Sequence, residues 1–288
     1  MTTDEVLSLG AFLAAAAKRL TDAGIPDARL DARLLAAHAL GMAPLSVATR
    51  PEKVLTPEEA AGITALVERR ARREPVSHIL GRREFWSMEF RVTADTLDPR
   101  PDTETLVEAV LDHLSDRQAP LTLVDFGTGT GCILLALLSE LPQAWGVGVD
   151  RSRKALAVAL ENARTLGLDR RTGFLCSDWA EALTGRVNVI VSNPPYIPDE
   201  DIAGLEAEVA KFEPLTALAG GPDGLACYRK LAPEAARLLA PGGLAAFEVG
   251  QGQAADVADL LSRAGLHLVE IRPDLAGIER CVVARKPA

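Results

Sequence analysis

A short apolar run at residues 121–126 meets Gly127-Thr128-Gly129-Thr130-Gly131, and a helical stretch follows at 133–141. A strand joined to a helix through three glycines needs a sharp backbone turn and leaves helix N–H groups pointing outward at the loop. From about residue 103 the same alternation repeats. Residues 145–149 read as a strand ending at Asp150, followed by a helix over 155–166. Further strands fall at 174–176 and 187–191. A helix at 225–239, a strand at 244–249 and a helix at 254–264 come next, and two strands at 266–271 and 281–284 close the sheet. Strands alternating with helices predict βαβ units in a mostly parallel sheet. The last two strands have no helix between them, which predicts an antiparallel C-terminal hairpin.

The first 85 or so residues read as a separate helical bundle. Val6, Leu9, Phe12, Leu13, Ala16 and Leu20 recur at helical spacing until Gly24 and Pro26 end the run. Leu30, Leu34, Leu35 and His38 mark a second helix. Thr56-Pro57-Glu58-Glu59 is a capping box with proline at the first helical position, opening a third helix to about Arg73, where Pro75 stops it. Phe85, Trp86, Met88, Phe90 and Val92 then look extended, and the two prolines of Asp98-Pro99-Arg100-Pro101 forbid regular structure. The expected division is a helical domain at 1–83, a hairpin and linker at 84–102, and an α/β domain at 103–288.

Charge follows the same division. The chain of 288 residues carries a formal −9. Residues 1–85 hold twelve basic and eleven acidic side chains, a net of +1, which leaves −10 for the remainder. Such a balance makes a poor general binder of nucleic acid, whose phosphates demand local positive charge. The basic cluster Arg69, Arg70, Arg72, Arg73, Arg82 and Arg83 reads as the solvated end of a helix, where it suits the helix dipole. Cys132, Cys176, Cys227 and Cys281 lie far apart with no C-x-x-C pair, so no zinc site is expected and each reads as a reduced, buried thiol. The opening Met1-Thr2-Thr3-Asp4-Glu5 is unlike a basic signal peptide, and no apolar run approaches ~20 residues. The expectation is a cytoplasmic protein.

Two further features point to a ligand. Asp150 stands 23 residues beyond Gly127 at the end of the next strand, where a carboxylate can accept both ribose hydroxyls. It can also cap the following helix, and both roles can hold together. The loop spacing is G-x-G-x-G rather than G-x-G-x-x-G. Loop and acid together predict an adenosyl-type cofactor without separating NAD from S-adenosylmethionine. Asp178-Trp179 follows the third strand, where an indole could cover a purine and a carboxylate could accept from its exocyclic amine. The alternative is a partly buried core tryptophan.

Ser192-Asn193-Pro194-Pro195-Tyr196 ends the strand at 187–191, on the side of an open α/β sheet where ligands sit. Two successive prolines fix φ and remove two donors, leaving bare carbonyls, and Asn193 before proline is pushed extended. The Asn193 side-chain oxygen and the Pro194 carbonyl form a rigid pair of acceptors, with the Tyr196 ring beside them. That array suits an –NH2 group on a planar conjugated system. Holding both protons aims the nitrogen lone pair at an electrophile without a metal or a covalent nucleophile. The competing reading is a rigid turn and nothing more.

At these residues the sequence resembles class I methyltransferases acting on amino nitrogens, among them DNA adenine-N6 and protein-glutamine N5 methyltransferases. Other stretches narrow the resemblance. Glu74-Pro75-Val76 with Leu80-Gly81-Arg82-Arg83-Glu84-Phe85-Trp86, and Pro99-Arg100-Pro101-Asp102-Thr103-Glu104, are similar to the HemK/PrmC family. So are Glu213-Pro214, Ala217-Leu218, Gly220-Gly221 and Asp223-Gly224-Leu225. The motifs occur in order over nearly the whole chain. The departure is Asp98, where the family often has an apolar residue. The resemblance implies a Rossmann-like S-adenosylmethionine-dependent methyltransferase sheet with a small N-terminal helical-bundle domain that helps grip the substrate. It implies Gly127, Thr128, Gly129, Thr130, Gly131, Asp150, Trp179 and Asn193 around S-adenosyl-L-methionine, with Asp178 beside them. It implies Asn193, Pro194, Pro195 and Tyr196 around the glutamine amide of the Gly-Gly-Gln motif in class I peptide chain release factors. A ribosomal-protein glutamine methyltransferase shares nearly all of these features. An adenine-N6 methyltransferase would suit the same acceptors after base flipping, against the charge of the catalytic half. A degenerate, non-catalytic binding protein would predict a broken loop or turn, and both are intact.

Overall fold

The computed structural model describes residues 8–288. Val6 and the Met1-Thr2-Thr3-Asp4-Glu5 opening lie outside the described residues. Two compact units are present. The first runs to Gly81 and also takes in Ala207–Phe212; the second comprises Arg82–Glu206 and Glu213–Ala288.

The first unit contains α1 (Leu9–Asp22), α2 (Ala28–Ala39), α3 (Pro44–Ala48), α4 (Pro57–Ala71) and α5 (Val76–Leu80). Leu9, Leu20, Leu35 and Ile63 are fully buried at its centre, so the 3.6-residue spacing of apolar side chains has found its core. The capping box forms: the Thr56 hydroxyl accepts from Glu59 N at 3.2 Å, and Glu59 Oε2 accepts from Thr56 N at 2.9 Å. The five-residue helices α3 and α5 carry no such periodic signal and were not anticipated.

The arginine cluster requires a correction. Arg70 is 7% exposed rather than solvated. Its Nε donates to Asp31 Oδ2 at 2.7 Å and its Nη1 to Glu208 Oε1 at 3.0 Å, while Arg73 holds the other oxygen of Glu208. Both carboxylates come from distant parts of the chain, so local helix reasoning could not pair them. Arg69 turns instead to Glu74 at 2.8 Å.

The second unit begins with a hairpin, β1 (Arg82–Phe85) and β2 (Met88–Arg91). Trp86 and Ser87 form its turn with φ of 52° and 56°, the left-handed geometry of a two-residue type I′ loop. Neither is glycine. Tertiary bonds stabilise the turn: Trp86 N donates to Glu104 Oε1 at 2.7 Å and its indole N–H to Glu140 Oε1 at 2.9 Å. Trp86 is therefore a turn residue, not the strand residue its neighbours suggested. The proline-rich stretch likewise holds regular structure, a 3-10 turn at Pro101–Thr103 leading into α6 (Glu104–Asp112).

There follow β3 (Thr122–Phe126), α7 (Cys132–Glu140), β4 (Trp145–Asp150), α8 (Arg153–Thr165), β5 (Thr172–Cys176) and β6 (Val187–Ser192). After α9 (Ala207–Phe212), the segment grouped with the first unit, come α10 (Ala226–Leu238), β7 (Leu239–Glu248), α11 (Ala254–Arg263), β8 (His267–Pro273) and β9 (Glu279–Arg285). The sheet order is β5-β4-β3-β6-β7-β9-β8. All pairs from β5 to β7 are parallel, while β9 lies antiparallel between β7 and β8. This is the Rossmann-like sheet with its antiparallel C-terminal pair.

The alternation of side chains divides the core into two layers. Leu123, Val189, Val191, Leu244 and Ala246 face α6 and α7, and Val124, Phe126, Ile190, Ala245 and Phe247 face α10 and α11. Each fully buried Leu, Ile or Phe contributes roughly 1.5–3 kcal/mol relative to exposure. The cysteine expectation holds for Cys132 and Cys281, which are buried, but Cys227 is half-buried and Cys176 exposed. Cys176 is the last residue of β5.

Candidate active site

Chain order reverses between β3 and β6, so the crevice beyond their carboxyl ends is where an open α/β sheet takes its ligand. A cleft of about 640 Å³ opens there. Gly127, Thr128, Gly129 and Thr130 after β3, Asp150 at the end of β4, Asp178 and Trp179 after β5, and Asn193 and Pro195 after β6 all line it. Of the residues singled out in the sequence, Gly131, Pro194 and Tyr196 lie outside the walls.

The glycine loop curls over the end of β4. Gly127 N and Thr128 N both donate to Val149 O, at 2.9 and 3.0 Å. Gly127, Gly129 and Gly131 adopt φ of 70°, 54° and 82°, a region that disfavours side chains. At Gly131 a Cβ would also press on Leu135 and Ala159, so this glycine serves helix packing. Asp150 Oδ1 accepts from Ser152 N at 2.8 Å and Oδ2 from Gly129 N at 3.0 Å. The α8 cap itself is Ser152, whose hydroxyl accepts from Ala155 N. Asp150 is thus bound to both the loop and the helix start, with lone pairs left for a ligand. The Trp179 indole lies against Gly127, where a Cβ would stand 3.7 Å from the ring.

Behind the loop lie residues that sequence reasoning missed. Asp125 is fully buried and accepts from the Thr128 hydroxyl at 2.6 Å. Burial raises its pKa to about 7, with the Asp150 charge adding to the rise and the Thr128 bond opposing it. Asn162, on α8, donates to Thr130 O at 2.9 Å and Arg91 O at 3.1 Å and accepts from Arg91 N at 2.7 Å. It joins the loop to the hairpin. No local signal marks it, because its partners lie 32 and 71 residues away.

The Asn-Pro-Pro-Tyr turn is clamped from several sides. The Ser192 hydroxyl donates to Phe126 O at 2.7 Å, tying β6 to β3 just before the turn. Gln253 Nε2 donates to Tyr196 O at 2.9 Å. The stretch 218–221 runs alongside, with Ile197 N donating to Leu218 O and Gly220 N to Ile197 O. Gly224 has φ of 74°, and a Cβ there would collide with the Tyr196 carbonyl. The Tyr196 side chain packs against the apolar cluster that includes Leu225, and burial pushes its hydroxyl up to about 12.

Asn193 lines the cleft, and its Nδ2 donates to the Thr103 hydroxyl at 3.3 Å. Thr103 is 2% exposed. Beside them stands Glu248, the last residue of β7, also 2% exposed. Burial raises the Glu248 pKa to about 7, while hydrogen bonds from Thr103 and Asn193 and the Arg280 charge lower it. Glu248 Oε2 has no hydrogen-bond partner. A third buried acid, Glu213, accepts from Asp98 N at 3.2 Å and from Arg100 at 3.3 Å, and burial again raises it to about 7. It anchors the chain where it returns to line the cleft with Pro214 and Leu215.

Residues 11–81 match the PrmC N-terminal domain family and 100–208 the Methyltransferase small domain family. The chain is 54% identical over 288 residues to the release factor glutamine methyltransferase of Rhodospirillum rubrum, covering 99% of this chain and 87% of that one. It belongs to the release factor glutamine methyltransferase family. The family's protein of that name from Caulobacter vibrioides is 47% identical, over 94% of each chain. A methyltransferase of Pyrococcus furiosus shares the fold, with a TM-score of 0.52 at 14% identity, covering 69% of this chain and 89% of that one. The chain is an S-adenosylmethionine-dependent methyltransferase by family. Among the described residues no helix is long and apolar enough to cross a membrane, and no cluster of His, Cys, Asp and Glu could hold a metal ion.

Proposed function

We infer that this enzyme methylates the side-chain amide nitrogen, N5, of the glutamine in the Gly-Gly-Gln motif of class I peptide chain release factors. The observation that carries the reading is Asn193 at the mouth of β6, lining the cleft with its Nδ2 engaged by Thr103. Its Oδ1 is left to accept one N–H of a substrate amide, and the Pro194 carbonyl, just outside the cleft walls, would accept the other as the amide seats against the turn. An amide lone pair is delocalised and weakly nucleophilic. Fixing both protons directs the lone pair and favours the loss of conjugation that transfer requires, an effect realised in the transition state. Pro195, on the cleft wall, would bound the planar group, and Tyr196 would hold the turn from behind.

The rest of the lining suits a nucleoside, combining the carboxylates of Asp150 and Asp178, an indole and a glycine loop in a cleft of about 640 Å³. Asp150 would accept from the ribose hydroxyls, Trp179 would cover the adenine and Asp178 would accept from its amine. Gly127, Thr128, Gly129, Thr130 and Gly131 would shape the bed for the remainder. S-adenosyl-L-methionine, when bound, supplies an electrophilic methyl group and departs as S-adenosyl-L-homocysteine. The helical unit would grip the release factor away from the glutamine. A translation factor as substrate puts the reaction in the cytoplasm, and the acidic catalytic half gives no reason to expect sequence-specific nucleic-acid contacts.

Mass spectrometry tests this directly. Purified release factor incubated with the enzyme and S-adenosyl-L-methionine should gain one methyl on the Gly-Gly-Gln peptide. Methylation of ribosomal protein or duplex DNA in its place would overturn the substrate assignment.

A further inference from the structure

The antiparallel pair at the end of the sheet returns the chain to the mouth of the active site. Ser192 on β6 pairs with Phe247 on β7, and Phe247 pairs with Val282 on β9. Asn193 therefore leaves the sheet at the end where β9 enters it. The turn between β8 and β9, residues 274–278, stands at that same end.

One carboxylate organises this turn. Asp274 is 8% exposed. Its Oδ1 accepts from Ala276 N at 2.9 Å and Ile278 N at 3.0 Å, and its Oδ2 accepts from Arg280 Nε and Nη2, each at 3.2 Å. Asp274 N donates to Ile278 O at 2.8 Å, and Gly277 N donates to Asp274 O at 2.9 Å. Arg280 carries the network onward. It donates to Val249 O and lies 3.9 Å from Asp102, whose neighbour Thr103 bonds Asn193. This tightly bonded turn holds a leucine out in water: Leu275 is fully exposed, and Pro273 and Ala276 are exposed with it.

A lone exposed leucine is ordinary on a protein surface. Its placement distinguishes this one. Among the exposed large apolar side chains of the catalytic unit, Trp145, Leu268 and Val269 lie at or near strand starts, the end away from the cleft. Leu215 and Leu275 lie at the cleft end. Leu215 is on the cleft wall, two residues after Glu213, which accepts from Asp98 and Arg100. The segment 98–103 that supports Asn193 is thus tethered to two loops, each displaying a leucine. A turn already fixed in shape loses little freedom when a partner covers it. The two glycines of a Gly-Gly-Gln motif offer no side chains to hold, so a protein substrate must be gripped beside them.

We propose that Leu275, presented by the β8–β9 turn, is a docking anchor that seats in an apolar depression on the release factor beside its Gly-Gly-Gln loop. The proposal rests on the reading of release factor as the substrate.

Leu275→Ser should raise the KM for purified release factor about ten- to a hundredfold, the scale of burying one leucine side chain. The Kd for release factor, measured by calorimetry with S-adenosyl-L-homocysteine present, should rise by the same factor. The kcat at saturating release factor, the cofactor affinity and the thermal midpoint should stay at wild-type values, since this side chain is fully exposed in the free enzyme. Leu275→Met should retain most of the affinity, and Leu275→Asp should lose at least as much as Ser. Wild-type KM and Kd in Leu275→Ser overturn the proposal, and the substrate reading stands if the wild-type enzyme methylates release factor. Equal losses in the Met and Ser variants overturn it as well, because an apolar contact tolerates Met. A fall in thermal midpoint or cofactor affinity alongside the loss of docking marks a structural role and overturns it too. A wild-type enzyme that leaves release factor unmethylated removes the substrate reading and the proposal with it.

Discussion

Asp150 accepts the backbone N–H of Gly129 at 3.0 Å, so the acid at the end of β4 and the glycine loop after β3 form one unit. Replacing Asp150 by Ala removes the loop's anchor and the ribose acceptor together. Cofactor affinity measured by calorimetry should fall about ten- to a hundredfold, the scale of charged hydrogen bonds. Asp150→Asn, which keeps the volume but turns one acceptor into a donor, should lose less. Unchanged affinity in Asp150→Ala would refute the ribose assignment.

Asn193→Ala should leave a folded protein with turnover reduced by ~10²–10³, the usual loss on deleting a preorganised polar contact. Asn193→Asp keeps an oxygen facing the substrate and should retain more activity than Ala. If the two variants behave alike in a steady-state methylation assay, Asn193 shapes the turn and does not bind the amide.

Asn162→Leu should destabilise the protein by about 2–4 kcal/mol, because it strands the Thr130 carbonyl in a buried position and the part-buried N–H and carbonyl of Arg91. Urea denaturation measures this. A cost near that of a surface substitution would show that water replaces the side chain without penalty.

The stability of the fold should carry a signature of Glu213. Burial lifts its folded pKa from 4.5 to about 7. A raised acid binds its proton more tightly when folded. Its contribution is therefore complete below pH 4.5 and is lost as pH rises through about 7. Glu213→Gln keeps an acceptor for Asp98 N and has no proton to lose. Its stability relative to wild type should grow by roughly 1–3 kcal/mol between about pH 5 and about pH 8. A difference independent of pH in denaturation curves would mean that the carboxyl titrates near its ordinary value.

The sheet was legible because β3, β4 and β7 are apolar runs each followed by a helix, and the glycine loop and Asn-Pro-Pro-Tyr turn mark two strand ends chemically. Boundaries drifted where packing overrode local pattern. β7 begins at Leu239, five residues before the expected strand, because Pro241 and Gly242 hid a register shift opposite Val187 and Val189. α6 enters from a 3-10 turn with no side-chain cap to announce it. The polar groups behind the site were invisible for a different reason. Thr103 and Asn162 bond to partners far along the chain, and only folding supplies that information. Arg70 is the same case in the helical unit, since Asp31 and Glu208 decide its burial.

The placement of Ala207–Phe212 has a consequence for synthesis. The helical unit is discontinuous in sequence, and its Arg70 and Arg73 wait for Glu208. On a ribosome, where domains commonly fold in order of emergence, this first unit cannot complete its ion cluster until β3 to β6 have already been translated. The nascent amino-terminal segment alone would hold Asp31 and Arg70 with one carboxylate missing, so its final maturation is timed by the chain of the domain that carries the chemistry.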